Sequence, residues 1–196
     1  MTMKTILCPT DFSKAAHNAF LYALQWAQYV NGRIVMLHVV PQEPVPAGYE
    51  TPPRVDLVKS DRVKEARKRF EAYKAEAQER LGDEMPMVSF EIEEGKAGEE
   101  ILHRASEVDY IVMGSRGIMS EEEKVFGSTA IYVTQTAACP VLVVPLNAAF
   151  DGIGHIMYAT TFDEPSMAVL EPLIELAGEF DAYLSCVHIA ETDKNW

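Results

Sequence analysis

The chain has 196 residues, 48% hydrophobic and 24% charged, a balance that supports a buried core and excludes a disordered polymer. Its formal net charge of -13, from 17 Lys+Arg against 30 Asp+Glu, would repel a phosphate backbone over most of the surface and argues against nucleic-acid binding. Cys8, Cys139 and Cys186 have neither CxxC spacing nor a His partner at ligand spacing, so no zinc site or disulfide framework is suggested, and reduced thiols in a cytoplasm fit them.

The first apolar run, Ile6-Leu7-Cys8, stops at Pro9 and Asp11, far short of a signal sequence or a membrane span, and a cytoplasmic protein is expected. Thr5 to Cys8 reads as a buried strand. Asp11-Phe12-Ser13 then offers capping side chains to a helix carrying Ala16, Ala19, Ala23, Ala27 and Val30 on its apolar face, and Asn31-Gly32 ends it. Residues 33 to 40, RIVMLHVV, form a near-continuous apolar run, as in a strand covered on both faces. Prolines 41, 44, 46, 52 and 53 predict an extended loop over 41–59. An amphipathic helix follows, with Val63, Ala66, Phe70, Tyr73, Ala77 and Leu81 at three- and four-residue spacing and Gly82 as its stop. Val88, Phe90 and Ile92 alternate with polar residues, the pattern of an edge strand. A short helix over about 97–106, a buried strand ending at Gly114, a helix from Ser128 and a fifth strand over Val141 to Val144 complete the series. Five strands alternating with helices predict an open, mostly parallel α/β sheet, because parallel neighbours need crossover helices.

After a linker at 147–154 the pattern restarts. At an offset of 150, Ile6 matches Ile156, Thr10 matches Thr160, Phe12 matches Phe162, Ala27 matches Ala177 and His38 matches His188. Residues 155–196 are therefore expected to form strand, helix and strand, the beginning of a second repeat without its remainder.

In a doubly wound sheet, ligands bind beyond the carboxyl ends of the strands where the winding reverses. Two segments suit that place: Pro9-Thr10-Asp11 after the first strand, and Gly114-Ser115-Arg116-Gly117 after the fourth, running on to Gly127-Ser128 at a helix start. Glycines without Cβ let backbone N–H groups approach phosphate oxygens, and a helix N-terminus adds unsatisfied donors.

The segments ILCPTDFSKAA, LHVV, VMGSRG, GSTA and CPVLVVP resemble, in order and spacing, the nucleotide-binding branch of the universal stress protein family. The resemblance covers residues 4 to 145. It implies a Rossmann-like five-stranded parallel sheet of order 3-2-1-4-5, helices on both faces, and a nucleotide-binding domain over 1–146. It also implies ATP, ADP or AMP lying across the first and fourth strands. On this basis Pro9, Thr10, Asp11 and Val39 would meet the adenosine, Met113, Gly114 and Gly117 the ribose and phosphates, and Gly127, Ser128 and Thr129 the phosphate tail. Arg116 is a further phosphate candidate. Position 130 often carries a hydroxyl in nucleotide-binding relatives and is Ala130 here.

Several of these residues have a second reading. Asp11 can simply cap the first helix, although the glycine pattern favours a ligand. Glu121-Glu122-Glu123 would repel a triphosphate unless Mg2+ bridged them to it, and Ser120-x-x-Glu123 also reads as a capping box. His38 resembles a base, but its counterpart His188 has no glycine loop near it, which favours a structural role at a strand end. No catalytic residue is identified. The function implied by the resemblance is an ATP-dependent regulatory module in a stress response, the alternative being slow ATP hydrolysis or self-phosphorylation through Ser128 or Ser120. The open edge of the second repeat predicts a homodimer.

Overall fold

The computed structural model describes residues 3–42, 55–116, 126–162 and 167–189, with residues 55–59 as backbone only. Two compact units divide the chain, Met1–Phe150 and Asp151–Trp196, and each is described by itself.

In the first unit, β1 (Lys4–Pro9) is buried beyond its first residue and pairs in parallel with β2 (Gly32–Val40), from Lys4 opposite Gly32 to Pro9 opposite Leu37. Helix α1 (Lys14–Tyr29) makes the crossover. Its N-cap is Ser13, whose Oγ accepts from the Ala16 N–H at 3.1 Å. Ala15, Ala16, Ala19, Ala23 and Ala27 line its buried face, small side chains that let the helix sit close to the sheet, while Phe20, Leu24 and Trp26 fill the space around them. The helix ends at Val30, and Asn31 turns the chain with φ 49°.

Helix α2 (Val55–Leu81) leads through a single 3-10 turn at Gly82–Glu84 to β3 (Val88–Glu94), which pairs with β2 alone. The predicted loop over 41–59 is thus shorter than expected, since helix begins at Val55. The prolines end at Pro53, and no helix breaker follows until Gly82. Then come α3 (Ala97–Ala105), β4 (Tyr110–Gly114), α4 (Ser128–Thr136) and β5 (Val141–Val144). The sheet has the order β3-β2-β1-β4-β5 with every pairing parallel. On one face Leu7, Val35, Leu37, Ile111 and Met113 pack with Ile101 and Ala105 of α3 and Ala130 and Val133 of α4. On the other, Ile6 reaches the α1 side, and Phe20 of α1 stacks on Tyr73 of α2 at 5.9 Å. Each fully buried large side chain stabilises this sandwich by roughly 1.5–3 kcal/mol.

In the second unit, β6 (His155–Ala159) and β7 (Tyr183–Val187) form a two-stranded parallel sheet joined through α5 (Leu170–Phe180). His155 stands opposite Tyr183, the same 28-residue offset that sets Thr5 opposite Arg33 in β1 and β2. Met157 and Ile174 are exposed, whereas Leu7 and Leu24, 150 positions earlier, are buried.

Candidate functional site

The chain leaves β1 toward β2 and β3, and leaves β4 toward β5, so winding reverses between two hydrogen-bonded neighbours and a crevice opens beyond their carboxyl ends. Each wall of that crevice is built from short-range chemistry.

Pro9 closes β1. Thr10, only 6% exposed, is held three ways: its N–H donates to the Leu37 carbonyl (2.8 Å), its Oγ1 accepts from the Phe12 N–H (3.0 Å), and its carbonyl lies 2.8 Å from His38 Nδ1. Phe12 takes a left-handed conformation, φ 59°, unusual for a bulky residue. Ring contacts compensate for that strain, with centroids at 4.9 Å from His38, 5.6 Å from Tyr73 and 6.2 Å from Phe90, and the Arg69 guanidinium lies 5.8 Å from its ring centre. Asp11 Oδ1 accepts from the Ser13 N–H at 2.9 Å, a bond just outside the helix, while Ser13 itself caps α1. The capping role is thus carried by Ser13, and Asp11 shapes the turn. Burial, with the Asp11 carboxylate adding to it, pushes the Tyr73 phenol up to about 12, which keeps it neutral. Val39, half-buried near the end of β2, packs on the α3–α4 side and pairs with Glu93 of β3.

Across the crevice, Met113 and Gly114 end β4. A Cβ on Gly114 would lie 2.7 Å from the Ala15 carbonyl carbon, 2.8 Å from its oxygen and 3.0 Å from Ala16 N. Glycine is therefore required here by the close approach of β4 to the first turn of α1, a reason independent of any phosphate. Ser115 is buried, donates its N–H to the Val144 carbonyl (3.0 Å) and accepts from the Gly127 N–H (2.9 Å), which fastens both ends of the intervening loop. Arg116 starts that loop, half-buried. Gly117, Ser120 and Glu121 to Glu123 lie outside the described residues. Gly127 is the N-cap of α4 without a side-chain capping bond, and the first intrahelical bond runs from the Ile131 N–H to the Gly127 carbonyl at 3.0 Å. The N–H groups of Ser128, Thr129 and Ala130 thus have no acceptor within the helix, the usual condition of a first turn. Ala130 sits in the core beside Met113 and Val133, which explains an apolar methyl at that position.

The structure therefore brings Pro9, Thr10, Asp11, Met113 and Gly114 to adjoining strand ends, and ties Gly127, Ser128 and Thr129 to them through Ser115. Sequence reasoning did not single out Ser115 or the left-handed Phe12. The recurrence of Thr160 and Phe162 was the available signal for the latter. Burial pushes the Cys8 thiol up to about 12, which leaves it a protonated core residue. Among the described residues no group of His, Cys, Asp or Glu could hold a metal ion, and no helix is long and apolar enough to cross a membrane.

The sheet order and its parallel pairings define a doubly wound α/β protein. The sequence profile of the universal stress protein family matches residues 2–145, and the chain belongs to that family. It is 34% identical over 143 residues to a universal stress protein of Thermus aquaticus, covering 72% of this chain and 98% of that one. A universal stress protein of Mycobacterium tuberculosis is 29% identical over 175 residues, 87% of this chain, and the chain spans 59% of that relative's length. Among solved structures, UspA from Lactobacillus plantarum is similar with TM-score 0.59 and 31% identity, over 74% of this chain and 99% of that one. A universal stress protein solved in complex with cAMP shares the fold, at TM-score 0.50 and 17% identity over 75% of this chain and 100% of that one.

Proposed function

We propose that residues 1–146 form an adenine-nucleotide-binding domain, that 147–154 are a linker, and that 155–196 begin a second repeat that binds no nucleotide. ATP is the ligand that fits this reading best, with ADP and AMP as lesser ligands, and its occupancy acts as a regulatory signal in a stress response. One observation carries it: buried Thr10 and half-buried Asp11 follow β1 beside the end of β4 at the reversal of winding, and the first turn of α4, which has no side-chain cap from Gly127, is fastened to the same place through Ser115. Backbone donors suit phosphate oxygens, and a fixed carboxylate suits a ribose hydroxyl or a base amino group.

Mass spectrometry of small molecules released from freshly purified, denatured protein, followed by calorimetric titration with ATP, ADP, AMP and GTP with and without Mg2+, tests this. We expect a single site per chain, preference for adenine over guanine, and weaker binding by Asp11→Ala. No binding of any adenine nucleotide at millimolar concentration refutes the reading. The free cysteines support a reducing, cytoplasmic setting, and the exposed apolar residues of β6, α5 and β7 support self-association as a homodimer, which light scattering would measure.

A further inference from the structure

An ionisable side chain, His38, is bonded to the backbone of the Pro9-Thr10-Asp11 segment at the Thr10 carbonyl. A carbonyl oxygen only accepts, so at 2.8 Å from the Thr10 carbonyl the imidazole Nδ1 carries the hydrogen, and the tautomer follows from the contact. The same ring packs on Phe12, whose N–H is bound to Thr10 Oγ1 and whose φ of 59° turns the chain from β1 into the cap of α1. Asp11 lies between the two residues that His38 touches. The backbone on both sides of Asp11 is thus clamped, and its Oδ1 accepts from the Ser13 N–H at 2.9 Å.

The second unit repeats the clamp without the acid. His188 Nδ1 lies 2.8 Å from the Thr160 carbonyl, Thr160 Oγ1 accepts from the Phe162 N–H at 3.0 Å, the Thr160 N–H donates to the Val187 carbonyl at 2.9 Å, and Phe162 has φ 59° with its ring 5.3 Å from His188. Between Thr160 and Phe162 stands Thr161 in place of Asp11. The imidazole thus serves the turn in both places, and only in the first does a carboxylate stand between the threonine and the phenylalanine.

We propose that His38 is the positioning residue of the candidate nucleotide site: its Nδ1–H holds the Thr10 carbonyl, and through that bond and its contact with Phe12 it orients Asp11 toward the ligand. The proposal rests on the nucleotide reading of the crevice. Its own content is that the contribution of His38 passes through one hydrogen bond, which an asparagine Nδ2 can replace and a leucine cannot.

The test uses the full chain and ATP. His38→Leu should weaken binding by about ten-fold or more, the scale of an unsatisfied acceptor in a part-buried turn. His38→Asn should return affinity to within about three-fold of the parent, and His188→Leu should leave it unchanged, because that turn carries no carboxylate. Long-range 15N NMR of the unaltered protein should find both imidazoles as the Nδ1–H tautomer, a readout that does not depend on any variant folding. Parent-like affinity in His38→Leu, an Asn variant as weak as the Leu variant, or an Nε2–H tautomer at His38 overturns the proposal. If the parent itself binds no ATP, the nucleotide reading fails. The clamp is then judged by amide exchange at Asp11 and Phe12, which should speed up in the Leu variant and recover in the Asn variant, and equal exchange in all three proteins overturns it.

Discussion

Gly114→Ala puts the smallest side chain where β4 meets the first turn of α1. Its Cβ would fall 2.7 Å from the Ala15 carbonyl carbon and 3.0 Å from Ala16 N, and both are backbone atoms inside a capped helix that cannot rotate away. Ordinary contact begins near 3.4 Å, so helix and strand must part by about 0.7 Å. Overpacking of this kind costs about 1–3 kcal/mol. From the middle of that range, about 2 kcal/mol, the lower entropy of an unfolded chain with alanine returns up to about 1 kcal/mol, leaving a net loss of about 1–2 kcal/mol. With a mid-range denaturant slope of about 2 kcal/mol/M, the urea midpoint should fall by roughly 0.5–1 M. Fluorescence of Trp26, buried in α1, reports the first unit. Because the displaced turn directly follows Ser13 and Asp11, ATP affinity should fall with stability. A midpoint equal to or above that of the parent would mean that β4 and α1 do not meet as closely as described.

Asp11→Ala should weaken ATP binding by about 1–3 kcal/mol, whereas Ser13→Ala should cost about 1 kcal/mol of folding stability with little change in affinity; calorimetry and urea melts on the pair separate ligand from cap. Cys8 and Tyr73 both have folded values raised to about 12, from 9.0 and 10.0. Their stabilising contribution is complete below pH 9, where both states are protonated. It declines as pH rises from 9 toward 12, because the unfolded chain releases its protons first. For the fully buried Cys8 the slope should be about 1.4 kcal/mol per pH unit, for the half-exposed Tyr73 a smaller one because solvent screens it, and Cys8→Ala should remove the part that starts at pH 9. Gly178→Ala, within α5 and with open space around the added methyl, should stabilise that helix by about 0.5–1 kcal/mol, measured by circular dichroism on thermal unfolding.

The elements of the first unit were legible because their signals are local. The alanine stripe of α1, the unbroken apolar run of β2 and the alternation of β3 each state a period and a degree of burial, and parallel pairing follows from the helices between them. The strand order is different in kind. No local pattern places β4 beside β1, and it was readable only through resemblance to a family. The start of α2 was misjudged because proline marks where a helix cannot continue but does not mark how soon the next one begins. At the crevice, residue types identified Thr10, Asp11 and the glycines, yet Gly114 answers to the backbone of Ala15, and Ser115 closes the loop through main-chain atoms that no side-chain pattern announces.

The two turns that carry Thr10 and Thr160 separate what such a turn needs from what a ligand needs. Both keep threonine, a left-handed phenylalanine and a histidine bonded to the threonine carbonyl, with matching distances of 3.0 Å and 2.8 Å. Those three residues are sufficient to turn the chain out of a parallel strand, so their presence in the first unit says nothing by itself about nucleotide. Between the threonine and the phenylalanine the turns differ in one residue, an acid at 11 and a threonine at 161. Since Ser13 already caps α1, the turn does not require a carboxylate to start the helix. An acid where Ser13 already caps the helix, and where a threonine serves the second turn, is a stronger argument for a ligand than the glycines, whose places packing explains at least in part.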